Sequence, residues 1–144
     1  MGKIIVGGVV KKDNKYLLVQ ERQEHCYGKW NIPAGHLDPN ENIFEGAKRE
    51  VFEECGYNVD ITGIAEIANR VVPDTEILFV VFSTNIISGD IKFDENEILD
   101  VKWYTYNEII NMKDELRSYD VIINAITAVE NNSIMDKNII KIVK

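Results

Sequence analysis

Hydrophobic and polar positions change their period several times along this chain, and each change marks an element. Residues 3–12 are β-branched and glycine-containing and predict a strand. Asp13-Asn14-Lys15 predicts a turn, and Tyr16–Glu21 its hairpin partner. Glu24–Lys29 is polar and predicts a loop. Trp30-Asn31-Ile32 is short and extended, because Pro33 biases the residue before it away from helix. A loop follows over 34–41. The period then becomes helical: Phe44, Ala47, Val51 and Cys55 share one arc of a wheel. Asn42 is a good N-cap, Glu45 three residues on gives the capping-box pattern, and Gly56 suits the C′ position. The helix should run from Ile43 to about Cys55.

Beyond it, 61–72 and 77–87 read as strands around the turn Pro73-Asp74-Thr75. The run Ile77–Phe82 is apolar on both faces, as expected of a central strand covered on both sides. Leu99–Tyr104 alternates and predicts a further strand. Thr105-x-x-Glu108 is a second capping box before a short helix, and Ser118 is placed to cap a last helix ending near Glu130. Residues 133–144 carry no clear pattern. Strands interleaved with helices make a layered α/β domain. An exposed strand over 3–12 would offer an edge to a second copy.

Composition narrows the function. At 144 residues the chain fits one domain, 1–144. Its formal charge of −8 argues against nucleic-acid backbones and anionic membranes as partners, since both repel it. A small anionic ligand would need local Lys or Arg, or a metal ion. Cys26 and Cys55 form no C-x-x-C pair, so neither a zinc ribbon nor a disulfide scaffold is supported. Reduced thiols in a cytoplasm are the simple reading. The stretch Ile4–Val10 is too short to span a membrane, and Met1-Gly2 opens a myristoylation signal that fails at Val6, where Ser or Thr is required.

The helix over 43–55 carries the candidate chemistry. Glu50, Glu53 and Glu54 are spaced i, i+3, i+4 and share a face. Like charges at that spacing repel, and the C-terminal end of a helix dipole disfavours anions. A solvated acidic face is the common explanation of such a triplet. Oxygen ligands for a hard divalent cation are the other, because a bound cation relieves the repulsion. Arg49, four residues before Glu53, can hold that carboxylate. Gly46 costs the helix about 1 kcal/mol against Ala, so something, such as the preceding loop, should approach it closely.

Residues 35–57 read Gly35, five residues, Glu41, seven residues, then Arg49-Glu50-Val51-Phe52-Glu53-Glu54-Cys55-Gly56-Tyr57. This resembles the signature box of the Nudix hydrolase (MutT-like) family at every fixed position, with one departure: Tyr57 stands where an aliphatic is usual. Trp30–Leu37 is similar to the strand leading into the box, and Glu97–Tyr104 with Glu108-Ile109 to a later strand and helix. Ala34-Gly35-His36-Leu37 and Leu116-Arg117-Ser118 are similar to a branch acting on nucleoside di- and triphosphates and thiamine-type pyrophosphates.

The resemblance implies an α-β-α sandwich with a mixed sheet. It implies attack of water on a phosphorus of a nucleoside diphosphate linked to a group X, with Mg²⁺ or Mn²⁺. It makes Glu50, Glu53 and Glu54, with the Gly35 carbonyl, the metal ligands; as an alternative to ligation, Glu53 or Glu54 is the general base or holds the attacking water. Arg49 then orients a carboxylate, with Glu41 as partner, and Glu97 is a candidate extra ligand or base. Arg22, His36, Arg70 and Arg117 are candidate substrate contacts. Trp30 and Trp103 fit packing better than stacking on a nucleobase. Neither histidine has a second His at ligand spacing, which argues against zinc. A pyrophosphohydrolase of nucleoside di- or triphosphates is the leading function, ahead of an ADP-ribose or nucleotide-sugar pyrophosphatase. A non-catalytic nucleotide-sensing module on the same fold is the alternative of another class. All box glutamates are present, which favours the enzyme.

Overall fold

The computed structural model describes residues 2–144. Met1, which opens the assigned domain and the failed myristoylation signal, lies outside the described residues. The elements run β1 (Lys3–Val9), β2 (Lys11–Lys12), β3 (Lys15–Glu21), β4 (Trp30–Asn31), β5 (Ala34–His36), α1 (Ile43–Cys55), β6 (Tyr57–Val72), β7 (Thr75–Gly89), β8 (Ile98–Thr105), α2 (Tyr106–Ile110) and α3 (Tyr119–Glu130). Strands and helices alternate as expected, but the strands divide between two sheets. One is mixed, in the order β5-β1-β7-β6; the other is antiparallel, β2-β3-β4, with β8 on β3.

The predicted hairpin of 3–12 with 16–21 is therefore only partly formed. The strand breaks at Val10, and only Lys11–Lys12 pairs with β3. Asp13 and Asn14 both take positive φ, 51° and 63°, the two-residue turn whose twist matches that of the strands. Lys15 belongs to the strand and not to the turn. β1 instead pairs in parallel with β7, Lys3 opposite Ile77 through Val9 opposite Ser83. Its other side is closed by β5, Ile5 opposite His36. β1 is thus an interior strand, and of the edge expected at 3–12 only the two-residue β2 remains, at the end of the other sheet.

Period-2 alternation sends side chains to two opposite layers. Val6, Val80 and Phe82 pack with Ala47 of α1, and Leu17 and Val19 with Val51 and Cys55. Val9, Leu18 and Val81 pack on the other face with Ile122, Ala125 and Ile126 of α3. This is the expected α-β-α sandwich. In β7 only Val80–Ser83 is covered on both faces; Leu78 is exposed and Ile77 and Phe79 are half-buried. The helices stop short of that end, so the expected double cover over 77–82 holds for its second half.

α1 has the predicted bounds. Asn42 Oδ1 accepts the Glu45 N–H at 3.0 Å, half of the capping box; the Glu45 carboxylate turns to Lys48 instead. Gly56 closes the helix at φ 91°, donating its N–H to the Phe52 carbonyl. Both halves of the Thr105–Glu108 box form at α2. Ser118 stands at the N-cap of α3 but makes no cap bond with its side chain. Residues 133–144, unassigned from sequence, run back beneath β6: Met135 bridges Ile64, Lys137 Nζ bonds the Ile61 carbonyl at 3.1 Å, and Ile140 packs against the α1-side core. Among the described residues, no helix is long and apolar enough to cross a membrane.

Candidate active site

The loop expected over 34–41 holds for 37–41 but not for its first three residues. Ala34–His36 is strand β5, and its pairing to β1 lays it alongside the acidic face of the helix. The Ala34 N–H donates to Glu54 Oε1 at 2.9 Å. Gly35 lies so close to Glu50 that a Cβ would meet its carboxylate oxygen Oε1 at 2.6 Å. Glycine is therefore what lets this backbone touch the acidic helix. Gly46 has the reason anticipated for it: a Cβ there would come within 2.5 Å of Leu37 Cδ1 and 2.9 Å of Glu41 Oε1, both from the segment before the helix.

Arg49 is the hub of the acid cluster. Its Nε and Nη2 grip Glu41 in bidentate fashion at 2.7 and 2.9 Å. Its Nη1 reaches Glu50 at 2.8 Å and Glu53 at 3.2 Å, and Nη2 also donates to the His36 carbonyl at 3.1 Å. The expected pairing of Arg49 with Glu41 and Glu53 is present. Its guanidinium hydrogen bonds hold the Glu41 carboxyl below the usual carboxylate range, and Glu41 in turn pushes the Arg49 pKa upward.

The three helix glutamates sit in different surroundings. Glu53 is exposed. Burial pushes the Glu50 carboxyl up, with Arg49 working against that shift. Burial pushes Glu54 well above the ordinary range, and the neighbouring charge of Glu21 adds to it. An open cleft of about 460 Å³ collects Glu50, Glu53 and Glu54 with Gly35, His36, Arg22 and Glu97. Of the predicted site residues only Arg49, Arg70 and Arg117 do not line it, Arg49 standing behind it. Glu97 stands on an exposed turn, its N–H on the Asp94 carbonyl at 2.9 Å.

Hard oxygen donors, mutually repelling and beside a glycine backbone, suit a divalent cation. Among the described residues, no three Asp, Glu, His or Cys side chains already converge with ligand spacing. The reason is visible: Arg49 holds Glu50 and Glu53. The donor set fits a hard cation in chemistry and placement, and those two carboxylates would turn from Arg49 to meet it.

A second cavity of about 910 Å³ opens beyond β5 and shares Glu21, Gln23, Gly35, His36 and Glu54 with the cleft. It takes the remaining two predicted substrate residues. Arg70 lines it while paired to Asp120 at 2.6 Å, which holds that carboxyl below its usual range. Arg117 lines it while paired to Glu21 at 2.7 Å. Phe79, Ile32 and Leu116 supply apolar wall. Trp30 and Trp103 line neither cavity. They pack edge-on against Tyr104 and Tyr57, as expected of core aromatics.

Sequence reading missed Glu21, only 3% exposed and common to both cavities. A signal was present: Glu21 continues the row of Leu17 and Val19, which faces α1, so alternation alone puts a carboxylate inside.

The NUDIX domain profile matches residues 2–124. The chain is 36% identical over 111 residues to putative nudix hydrolase 1 of Caenorhabditis elegans, covering 76% of this chain and 30% of that protein. It is 26% identical over 119 residues to the 8-oxo-dGDP phosphatase NUDT18 of Mus musculus, covering 83% and 36%. The chain spans about a third of the length of these curated relatives. Its fold matches a NUDIX hydrolase from Nitrosomonas europaea with a TM-score of 0.88 at 28% identity, covering 99% of this chain and 98% of that one.

Proposed function

The chain belongs to the NUDIX family, and from that premise we propose that it is a metal-dependent pyrophosphohydrolase of nucleoside di- or triphosphates or related nucleoside diphosphate-X compounds. Nudix hydrolases generally need divalent metals, and here Mg²⁺ or Mn²⁺ is the proposed ion, held by Glu50, Glu53, Glu54 and the Gly35 carbonyl. The observation that carries the reading is a cleft of converging carboxylates joined to a larger, partly apolar cavity that bears Arg70 and Arg117. When bound, the ion neutralises the phosphate oxygens and the charge developing on the leaving phosphate.

The chain's own residues do the rest. Glu54, pinned by the Ala34 N–H and shielded from solvent, takes the proton of the attacking water at a carboxylate oxygen. The water oxygen bonds to phosphorus, the anhydride P–O bond breaks, and the departing phosphate leaves with its electron pair. Arg49 and Glu41 keep the helix carboxylates in position. Arg22 and His36 at the cleft, with Arg70 and Arg117 in the larger cavity, contact substrate, and Glu97 supplies a further carboxylate at the cleft wall. Phe79 and Leu116 accept the nucleoside or X portion. Residues 1–144 act as one domain in a reducing cytoplasm, where two buried free thiols persist.

The test is a substrate panel with Mg²⁺ or Mn²⁺: nucleoside triphosphates, nucleoside diphosphates, ADP-ribose, nucleotide sugars and thiamine pyrophosphate, with products separated to identify the broken bond. Metal-dependent cleavage of a nucleoside phosphate, lost in Glu53→Gln, is expected. Preferred cleavage of ADP-ribose or a nucleotide sugar would move the substrate class. No turnover, with nucleotides still raising the melting temperature, would establish a sensing module instead.

A further inference from the structure

Glu21 is a buried carboxylate for which the proposed chemistry has no use. Its place is fixed firmly. Its N–H donates to the Lys29 carbonyl and its own carbonyl accepts from the Gly28 N–H, both at 2.8 Å. The register of the pairing with β8 shifts between Gln20 and Glu21, where Leu99 is the extra residue on β8, so β3 keeps its alternation and Glu21 stays on the row of Leu17 and Val19. One oxygen, Oε2, takes Arg117 Nη1 at 2.7 Å and lies 3.6 Å from Cys26 Sγ. Arg117 is held from both ends. Its backbone N–H bonds the Trp30 carbonyl at 2.9 Å, and Nη2 lies 3.1 Å from His25 Nε2. A guanidinium has five N–H donors, so this clamp leaves others for a ligand.

The alternative position for this guanidinium is on the page. Glu54 lines the same cavity as Arg117, and the two charges act on each other. Arg49 shows what a guanidinium does beside these carboxylates: it settles on four of them, Asp38, Glu41, Glu50 and Glu53. Arg117 on Glu54 would be a second such cation, occupying the oxygens a metal ion needs.

We propose that Glu21, common to both cavities, is a positioning residue that holds Arg117 at the wall of the larger one, keeping this cation off Glu54 and presenting it to a substrate phosphate. The inference rests on the metal-dependent reading of the cleft. A charge-only role for Glu21 is separated from a positioning role by Glu21→Asp, which keeps the charge and withdraws it by one methylene.

The experiment is calorimetric titration of the full chain with Mn²⁺ in the absence of substrate. Glu21→Asp is expected to bind Mn²⁺ about 10- to 100-fold more weakly, the range for loss of an outer-shell partner. Glu21→Asp with Arg117→Gln is expected to recover the wild-type affinity, since the intruding cation is gone. Wild-type affinity in Glu21→Asp, or no recovery in the double variant, overturns the role of Glu21. Should Glu21→Asp not fold, Arg117→Gln alone decides: Mn²⁺ affinity no lower than wild type with KM for the cleaved nucleotide raised about tenfold is expected, and weakened Mn²⁺ binding overturns the inference. Wild-type protein that takes up no Mn²⁺ overturns the metal reading and this inference with it.

Discussion

Glu54→Gln should make the metal-free protein more stable while abolishing turnover. The amide is isosteric with the carboxyl, and its oxygen can still accept the Ala34 N–H, now at 2.9 Å from Oε1. What disappears is a desolvated charge crowded by Glu21 and Glu50. At an effective dielectric constant near 20, one like-charge pair roughly 6 Å apart costs about 3 kcal/mol. Replacing a charge-assisted bond by a neutral one gives back about 1 kcal/mol. The expected net gain at pH 8 is about 1–2 kcal/mol, or roughly 3–8 °C in Tm for a chain this size. Because the folded-state pKa of Glu54 is raised, wild type is unpenalised below the unfolded-state value and loses stability as pH rises through the folded one. The advantage of Glu54→Gln should accordingly vanish near pH 4 and grow toward pH 8. Thermal unfolding by circular dichroism in EDTA across that range measures it. In Mg²⁺ at about 100 times the dissociation constant, wild type gains about 2.7 kcal/mol and the order should reverse. A variant less stable than wild type in EDTA at pH 8, or an advantage flat with pH, would refute the reasoning.

Two further outcomes are expected. Gly46→Ala should be destabilised by about 1 kcal/mol in urea titration and lose activity, although helix propensity alone would favour Ala by a similar amount. Its Cβ would push Glu41, which three hydrogen bonds hold in place, and with it Arg49; a more stable variant would mean that Leu37 and Glu41 yield freely. Burial pushes the Cys55 thiol up to about 12 and raises Cys26 as well. Native protein at pH 8 should therefore leave both thiols unreacted in a dithionitrobenzoate assay that finds both in urea.

Helix α1 was legible because its signals are local: a cap residue, an apolar arc and a C′ glycine all lie within its own span. The acidic triplet and the Arg49–Glu53 spacing were legible for the same reason, whereas the Arg49–Glu41 pair came only from the family resemblance. What escaped was non-local. Nothing near Lys3–Val9 announces a parallel partner seventy-four positions on, so the hairpin with 16–21 looked sufficient. β5 has only three residues and is a strand solely because β1 needs an edge partner. Glu21 was passed over as the end of a strand, although its row faces α1. Ser118 has cap chemistry, yet its side chain makes no cap bond and Asp120 Oδ1 accepts the Val121 N–H instead.

The parallel pairing of β1 with β7 also bears on the order in which the molecule can assemble. β6 and β7 meet across a turn of two residues, whereas joining β1 to β7 closes about 70 residues of chain, an entropic difference of about 3 kcal/mol. β5 hangs on β1, and the acidic helix touches both. Glu50 and Glu54, four apart on α1, repel as soon as that helix forms, but Glu21 adds its charge only when β3 and α1 are brought together. None of these carboxylates lies in the β6–β7 hairpin, so the element with the shortest closure is free of the electrostatic burden of the cleft.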